Sequence, residues 1–336
     1  MFLTVLYVIL CVRASVCEDG DLGYGLIIGN AIDVFANYGD LSQVTQVISA
    51  DYEDDGIELV EPFREKNIRV FENVTFREHS GDSMVDMNIL LCGTFEELLS
   101  TYFQNFRIEG TDKPWKAFLG DWIDDEIMRT FGIGLTSDNC CYVLVKISKV
   151  ERSVQLGDLD SAIAKDYVKR ALDALDIRNT SEVRSFMKSY GTHYIDSYMT
   201  GNFVYQVFKY KRDGYNLLRS YLRRSRRNPN SNIVRYYFSS FFLREVGEIR
   251  IASGNKQIEA WARNNLRDSQ YLFSRPSLLR LHYNPNLAYK LNQILDTGAL
   301  LGLHLKTLRP LFSNPYSAER FAEIVENDMK LWEVNA

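Results

Sequence analysis

Between residues 181 and 211 the chain passes from a helical pattern, through Tyr190-Gly191-Thr192-His193-Tyr194, into alternating aromatic and polar residues. No other part of the sequence constrains the fold as much. Val183, Phe186 and Met187 recur at helical spacing, so a short helix over 181–189 turns one face to a core. It ends at Gly191, a residue type that accepts the positive φ of a helix terminus. Thr192 and His193 then offer side-chain hydrogen bonds to the backbone groups freed there. Phe203 to Lys211 alternates as a strand does. Between the block and that strand stand Gly201 and Asn202; Asn visits left-handed conformations less freely than Gly.

The remaining elements follow from the same periodicities. Cys141 to Val150 is rich in β-branched residues and reads as a strand, as does Ile233 to Leu243 with its aromatic surface. Ser161 to Asp176 reads as a helix, with Ile163, Val168, Ala171 and Leu172 on one face. A last helix over 317–332 docks through Phe321, Ile324, Val325 and Leu331. Gly23 to Asn30 lacks a preceding strand and the glycine order of a pyrophosphate loop, and reads as an extended segment with close backbone packing. Trp115 and Trp122 flank Phe118 and admit two readings, core or membrane-interface anchor, of which core is the commoner. With 46% hydrophobic residues and no repeat, the expectation is a single α+β domain over 18–336.

The Tyr190-Gly191-Thr192-His193-Tyr194 block with Gly201 resembles the signature of the membrane-attack-complex/perforin (MACPF) family. The opening Gly23-Tyr24-Gly25 resembles the start of several domains of that family. The resemblance implies a bent, twisted central antiparallel β-sheet flanked by helical clusters, with the signature packed beside the bend. It also implies that glycines downstream let strands move as helical clusters refold into membrane hairpins. Here Gly201 matches the first glycine of the usual pair and Asn202 replaces the second. The stand-alone size and this imperfect pair place the resemblance nearest an insect developmental branch of the family. That branch implies secretion around the egg, association with the egg covering or plasma membrane, and local activation of the receptor tyrosine kinase Torso through its ligand. The other reading is a perforin-like pore former, with 213–227 as candidate for the second helical cluster. The many arginines of that segment would then have to face an aqueous lumen.

Met1 to Val12 is an apolar run followed by small residues at Ala14, Ser15 and Cys17, which reads as a secretory signal over 1–17 cleaved after Ala14 or Cys17. An oxidising compartment makes Cys17, Cys92, Cys140 and Cys141 disulfide candidates. Neighbouring cysteines rarely bridge each other, so Cys140 or Cys141 is expected to reach Cys92 or Cys17. Asn73-Val74-Thr75 and Asn179-Thr180-Ser181 are N-glycosylation sequons; Asn179, Thr180 or Ser181 is also positioned to cap the following helix.

The net charge of −5 is unevenly spread. Glu18 to Phe63 contains acids and no Lys or Arg, whereas Lys209 to Arg235 is strongly basic around Arg223, Arg224, Arg226 and Arg227. Three readings fit this cluster: a solvated loop, an anionic-surface contact, or a furin-type cleavage site at Arg224-Ser225-Arg226-Arg227. Nucleic acid is not an expected partner for a secreted chain.

Enzyme chemistry finds little support. Gly81-Asp82-Ser83 is similar to an esterase nucleophile block, yet neither His282 nor His304 has an Asp three residues before it. No Gly-x-Ser-x-Gly, His-Glu-x-x-His or phosphate loop occurs, and no Cys-x-x-Cys suggests a metal. The expectation is a binding protein without catalytic residues or cofactor. His79 is expected to be exposed and His282 to be a packing residue.

Overall fold

The computed structural model describes residues 26–35, 68–72, 74–81, 86–119, 123–134, 140–157, 159, 163–225, 231–267, 275–295 and 298–335. The proposed signal, Cys17, Gly23 to Gly25, Asn73, Asp82, Ser83, Trp122, Arg226 and Arg227 lie outside them.

The strands are β1 (Asn30–Ile32), β2 (Ile68–Arg69), β3 (Phe71–Glu72), β4 (Phe76–Ser80), β5 (Asp86–Cys92), β6 (Phe106–Ile108), β7 (Cys140–Leu156), β8 (Ile163–Ala164), β9 (His193–Lys211), β10 (Leu243–Ile251) and β11 (Ala299–Thr307). The helices are α1 (Phe95–Tyr102), α2 (Trp115–Leu119), α3 (Asp124–Thr130), α4 (Asp166–Asp173), α5 (Thr180–Tyr190), α6 (Arg212–Ser225), α7 (Ser231–Tyr237), α8 (Lys256–Asn265), α9 (Leu279–His282), α10 (Pro285–Ile294) and α11 (Pro315–Asn335).

The long strand β9 organises a large, mainly antiparallel sheet. On one side it pairs with β7 over most of its length and with β1 at its start. On the other it pairs with β11 through its first half and β10 through its second. β4 and β5 add to β7 end to end, and β6 joins β11 in parallel. The α+β class and the antiparallel sheet expected from the sequence are therefore present.

Each face of the sheet carries its own apolar core. One core draws on α1 through Leu98 and Tyr102, α5 through Val183 and Phe186, and α11 through Phe321 and Val325. The other draws on α6 through Tyr215 and Leu218, α7 through Val234, and α8 through Ile258 and Ala262. In the first core the Tyr102 ring meets Phe131, Phe203 and Tyr205 edge-on at 4.9–5.2 Å. Such contacts contribute about 0.5–1.5 kcal/mol each beyond area burial.

Lys146 of β7 projects into this aromatic group. Its Nζ lies 3.7 Å from the Phe203 ring centroid and 5.9 Å from that of Tyr102. Burial pushes its ammonium down to about 8. The unfolded chain then binds more protons than the folded one between pH 8 and 10.5, so stability rises with pH across that window. Lys146→Met is expected to remove that rise and to increase stability at pH 7 by about 1–3 kcal/mol, because an apolar chain replaces a desolvated charge. Urea midpoints of the two proteins at pH 7 and pH 10 check both statements.

Several expectations need correction. Ile233 to Leu243 is not a strand: it forms α7 and a turn, and β10 begins only at Leu243. Val234 and Phe238, four apart, are both buried, so the apolar run has a helical and not an alternating period. Ile163 lies on β8, exposed, and the helix starts at Asp166. Leu331 is 59% exposed on α11, whereas Phe321, Ile324 and Val325 dock as expected. His282 is exposed at the end of α9, and His79 is exposed on β4 as expected. Trp115 packs partly buried at the edge of the first core.

Cys92, Cys140 and Cys141 are not bridged to one another, so the alternative in which Cys140 or Cys141 reaches Cys92 is not formed, while the alternative with Cys17 lies outside the described residues. Adjacent strand residues point to opposite faces. Cys140 accordingly enters the first core with Cys92, and Cys141 enters the second. Cys92 Sγ instead lies 3.5 Å from Thr101 Oγ1, and Arg244 donates to Cys140 Sγ at 3.3 Å. Burial pushes the Cys92 thiol up to about 11.

Candidate functional site

The site grows from the junction of α5 with β9. Asn179 caps α5, its Oδ1 accepting from Ser181 N at 3.1 Å while its Nδ2 donates to Glu182 Oε1 at 2.9 Å. Val183, Phe186 and Met187 are buried as their spacing requires. Tyr190 ends the helix against Phe186, with ring centroids 4.9 Å apart. Gly191 turns the chain at φ +90°, its N–H donating to Met187 O at 2.7 Å. A Cβ there would stand 2.7 Å from the Ile32 carbonyl oxygen, so both conformation and space call for glycine.

Thr192 and His193 then fasten four separate parts of the chain together. Thr192 N donates to Ile32 O at 2.8 Å, and Leu308 N donates to Thr192 O at 3.0 Å. Val34 N donates to Thr192 Oγ1 at 3.0 Å. The fully buried His193 places Nδ1 2.9 Å from Thr192 Oγ1 and Nε2 2.8 Å from Glu109 O. Because a carbonyl only accepts, Nε2 carries the proton, and Nδ1 then accepts from the Thr192 hydroxyl. Glu109 is itself tied down, its Oε2 accepting from Thr307 N at 2.7 Å and from Thr307 Oγ1 at 3.1 Å. Tyr194 completes the block, its ring edge-on to Phe71 at 5.6 Å.

This histidine is built to stay neutral. Burial pushes it down to about 4, with the hydrogen bond to Glu109 opposing the shift. In the neutral form its two ring nitrogens fasten Thr192 to Glu109. Thr192 and His193 do hydrogen-bond backbone groups, but at Ile32, Val34 and Glu109 and not at the helix stop where the sequence placed their partners; Glu109, Val34 and Thr307 carry no local signal that could have named them.

Farther along β9, Gly201 adopts φ +150° where the β7 register slips between Val150 and Arg152. A Cβ on it would lie 2.1 Å from Lys149 O and 2.9 Å from Leu301 Cδ1. Tyr194 and Tyr198, before this point, and Phe203, Tyr205 and Val207, after it, all belong to the first core, so the strand changes parity here. A slip of this kind bends its strand. Asn202, fully buried, donates through Nδ2 to Ser253 Oγ at 2.7 Å. Its Oδ1 accepts from Ser253 N at 3.2 Å and Phe203 N at 2.9 Å. The residue in place of the second glycine is therefore a clasp between β9 and the segment after β10.

The basic cluster is separate from this junction. Arg223 and Arg224 are exposed on the last turn of α6. Arg224 and Ser225 are helical, so a protease that reads extended chain meets the furin-type site only once that turn unwinds. No helix among the described residues is long and apolar enough to cross a membrane.

No protein-family model and no curated protein sequence matches this chain. Solved structures similar to it include a putative cell invasion protein with a MAC/perforin domain from Bacteroides thetaiotaomicron. The TM-score is 0.39 at 11% identity, over 92% of this chain and 61% of that one. GNIP1Aa from Chromobacterium piscinae gives 0.41 at 11% identity, over 76% and 47%. Astrotactin-2, a vertebrate-specific, perforin-like membrane protein involved in neuronal development, gives 0.33 at 13% identity, over 75% and 38%. The chain thus spans between 38% and 61% of these proteins' own lengths.

Proposed function

We propose that the chain is a secreted, non-enzymatic MACPF-domain signalling factor of the torso-like kind. In this reading it acts outside the cell, at the egg covering or plasma membrane, to promote local activation of the receptor Torso during terminal patterning of the embryo. The signature residues Tyr190 to Tyr194 and Gly201 hold the domain together and take no part in chemistry. Asn179 carries a glycan: its cap uses Oδ1 and one Nδ2 hydrogen, leaving the other for the sugar.

The observation that carries the non-lytic half of this reading is the Asn202 clasp. Sheet opening would have to break its two hydrogen bonds to Ser253, each a net contribution of about 1 kcal/mol, in a buried setting where unpaired groups cost more. Arg219, Arg223 and Arg224 add a second obstacle, since α6 could cross hydrocarbon only with every one of them facing a lumen. One feature favours the pore-forming alternative: α6 and α7 link β9 directly to its antiparallel neighbour β10, so that strands and helices could extend as one hairpin.

Dye release from anionic and neutral liposomes by the purified secreted protein, intact and cleaved at the arginine block, decides between them. Binding without release is the expected result. Release accompanied by ring-shaped oligomers would overturn it in favour of perforation.

A further inference from the structure

Within residues 210–225 and 231–244 there are seven Lys and Arg and one acid, Asp213, in a chain whose net charge is −5. Arg223 and Arg224 are exposed and take part in no ion pair among the described residues. Like charges gathered this way repel one another and favour an anionic surface.

The same hairpin exposes apolar groups. It packs on the sheet through Tyr215, Leu218, Val234 and Phe238, while Leu217, Tyr236 and Phe241 remain 51%, 54% and 76% exposed. Leu217 and Arg224, seven residues apart, share one face of α6. Tyr236 and Phe241 both touch the Phe242 ring, at 5.1 and 4.9 Å. Phe242 is buried, its Cβ and Cδ1 within about 3.2 Å of where a Cβ on Gly214 would stand, so the two exposed rings rest on a rigid base.

Cations on the last turn of α6 and projecting aromatic rings near its first turn, about 15 Å apart along the helix, suit an extended interface that offers negative charge with an apolar layer just beneath it. A sulfated polysaccharide supplies the charge and leaves Phe241 in water. We propose that the α6–α7 hairpin is a peripheral docking face for anionic lipid bilayers. Phe241 and Tyr236 enter the headgroup layer while Arg223 and Arg224 meet phosphate and carboxylate groups, and the helices stay folded. The proposal rests on the membrane attachment of the signalling reading and names the residues that make it; attachment and dye release are separate measurements, so the two can fail separately.

The test is sedimentation of the full secreted protein with phosphatidylcholine vesicles and with mixed phosphatidylserine–phosphatidylcholine vesicles, beside retention on immobilised heparin. Wild type is expected to bind the mixed vesicles at least tenfold more tightly than the neutral ones. F241S is expected to lose about tenfold on mixed vesicles with its heparin retention unchanged, and R223E/R224E to lose more than tenfold on both. These positions are exposed, so thermal midpoints should hold, and Y236S gives an independent reading of the aromatic contribution. Vesicle binding by both F241S and Y236S equal to wild type overturns the proposal. So does indifference to phosphatidylserine with strong heparin retention, which would identify polysaccharide as the surface.

Discussion

Gly201→Val is expected to abolish the yield of folded protein, a loss of at least about 4 kcal/mol, because two independent costs fall on one atom. The residue sits at φ +150°, outside the region a β-branched side chain occupies, and its added Cβ would stand 2.1 Å from the Lys149 carbonyl oxygen. Relief by local movement is blocked on both sides: Lys149 belongs to β7, paired with β9 along its length, and Leu301 of β11 closes the other side at 2.9 Å. Asn202→Gly at the next position is the contrasting control, since it keeps the backbone free and removes only the clasp. The yield of folded protein and its urea midpoint separate the two. If Gly201→Val folds with a midpoint near wild type, the close approach of β7 and β9 at this point is wrong.

That contrast shows what kind of information the sequence held. Gly191 was legible because its role is local, a helix stop; Thr192 and His193 were legible only as hydrogen-bonding groups, since their partners at Ile32, Val34 and Glu109 come from distant parts of the chain. β7 and β9 were legible in part, since β-branched and aromatic alternation marks a strand, although both run well past the segments that alternate most clearly. The run Ile233 to Leu243 was misread because a continuous apolar stretch has no clear period, and only packing on the sheet selected Val234 and Phe238 as a helical face. The thiols escaped prediction for a related reason. Whether Cys140 faces Cys92 or Cys141 does is a matter of strand register, which depends on β5 pairing with β7. Glu109 and Ser253 are the clearest case of hidden information. Each is an ordinary loop residue in sequence, and each acquires its role only from a β9 residue brought to it by the fold.

The His193 fastening makes acid stability the other large expected effect. Its folded-state value, about 4, lies below the ordinary 6.5, so between those two pH values the unfolded chain binds a proton that the folded chain refuses. The stabilisation is complete above pH 6.5 and is lost as pH falls through 4, a change of about 3 kcal/mol over the window. Protonation also breaks the local logic. Nδ1 becomes a donor, and the Thr192 oxygen, already accepting from Val34 N, must accept a second hydrogen bond from it while its own proton turns to Ile32 O at 3.4 Å. His304, half-buried and also pushed down by burial, adds in the same direction; Glu259, pushed up by burial, opposes it. A variant is therefore needed to isolate one residue. His193→Gln can still donate to Glu109 O and has no proton to gain in this range, so it is expected to be less stable at pH 7 by about 1–2 kcal/mol and to show a shallower decline toward pH 4. Urea midpoints of both proteins at half-unit steps between pH 4 and 7.5 read the difference directly. Parallel profiles would mean that the acid sensitivity of the domain lies elsewhere and that His193 is not held neutral by its burial.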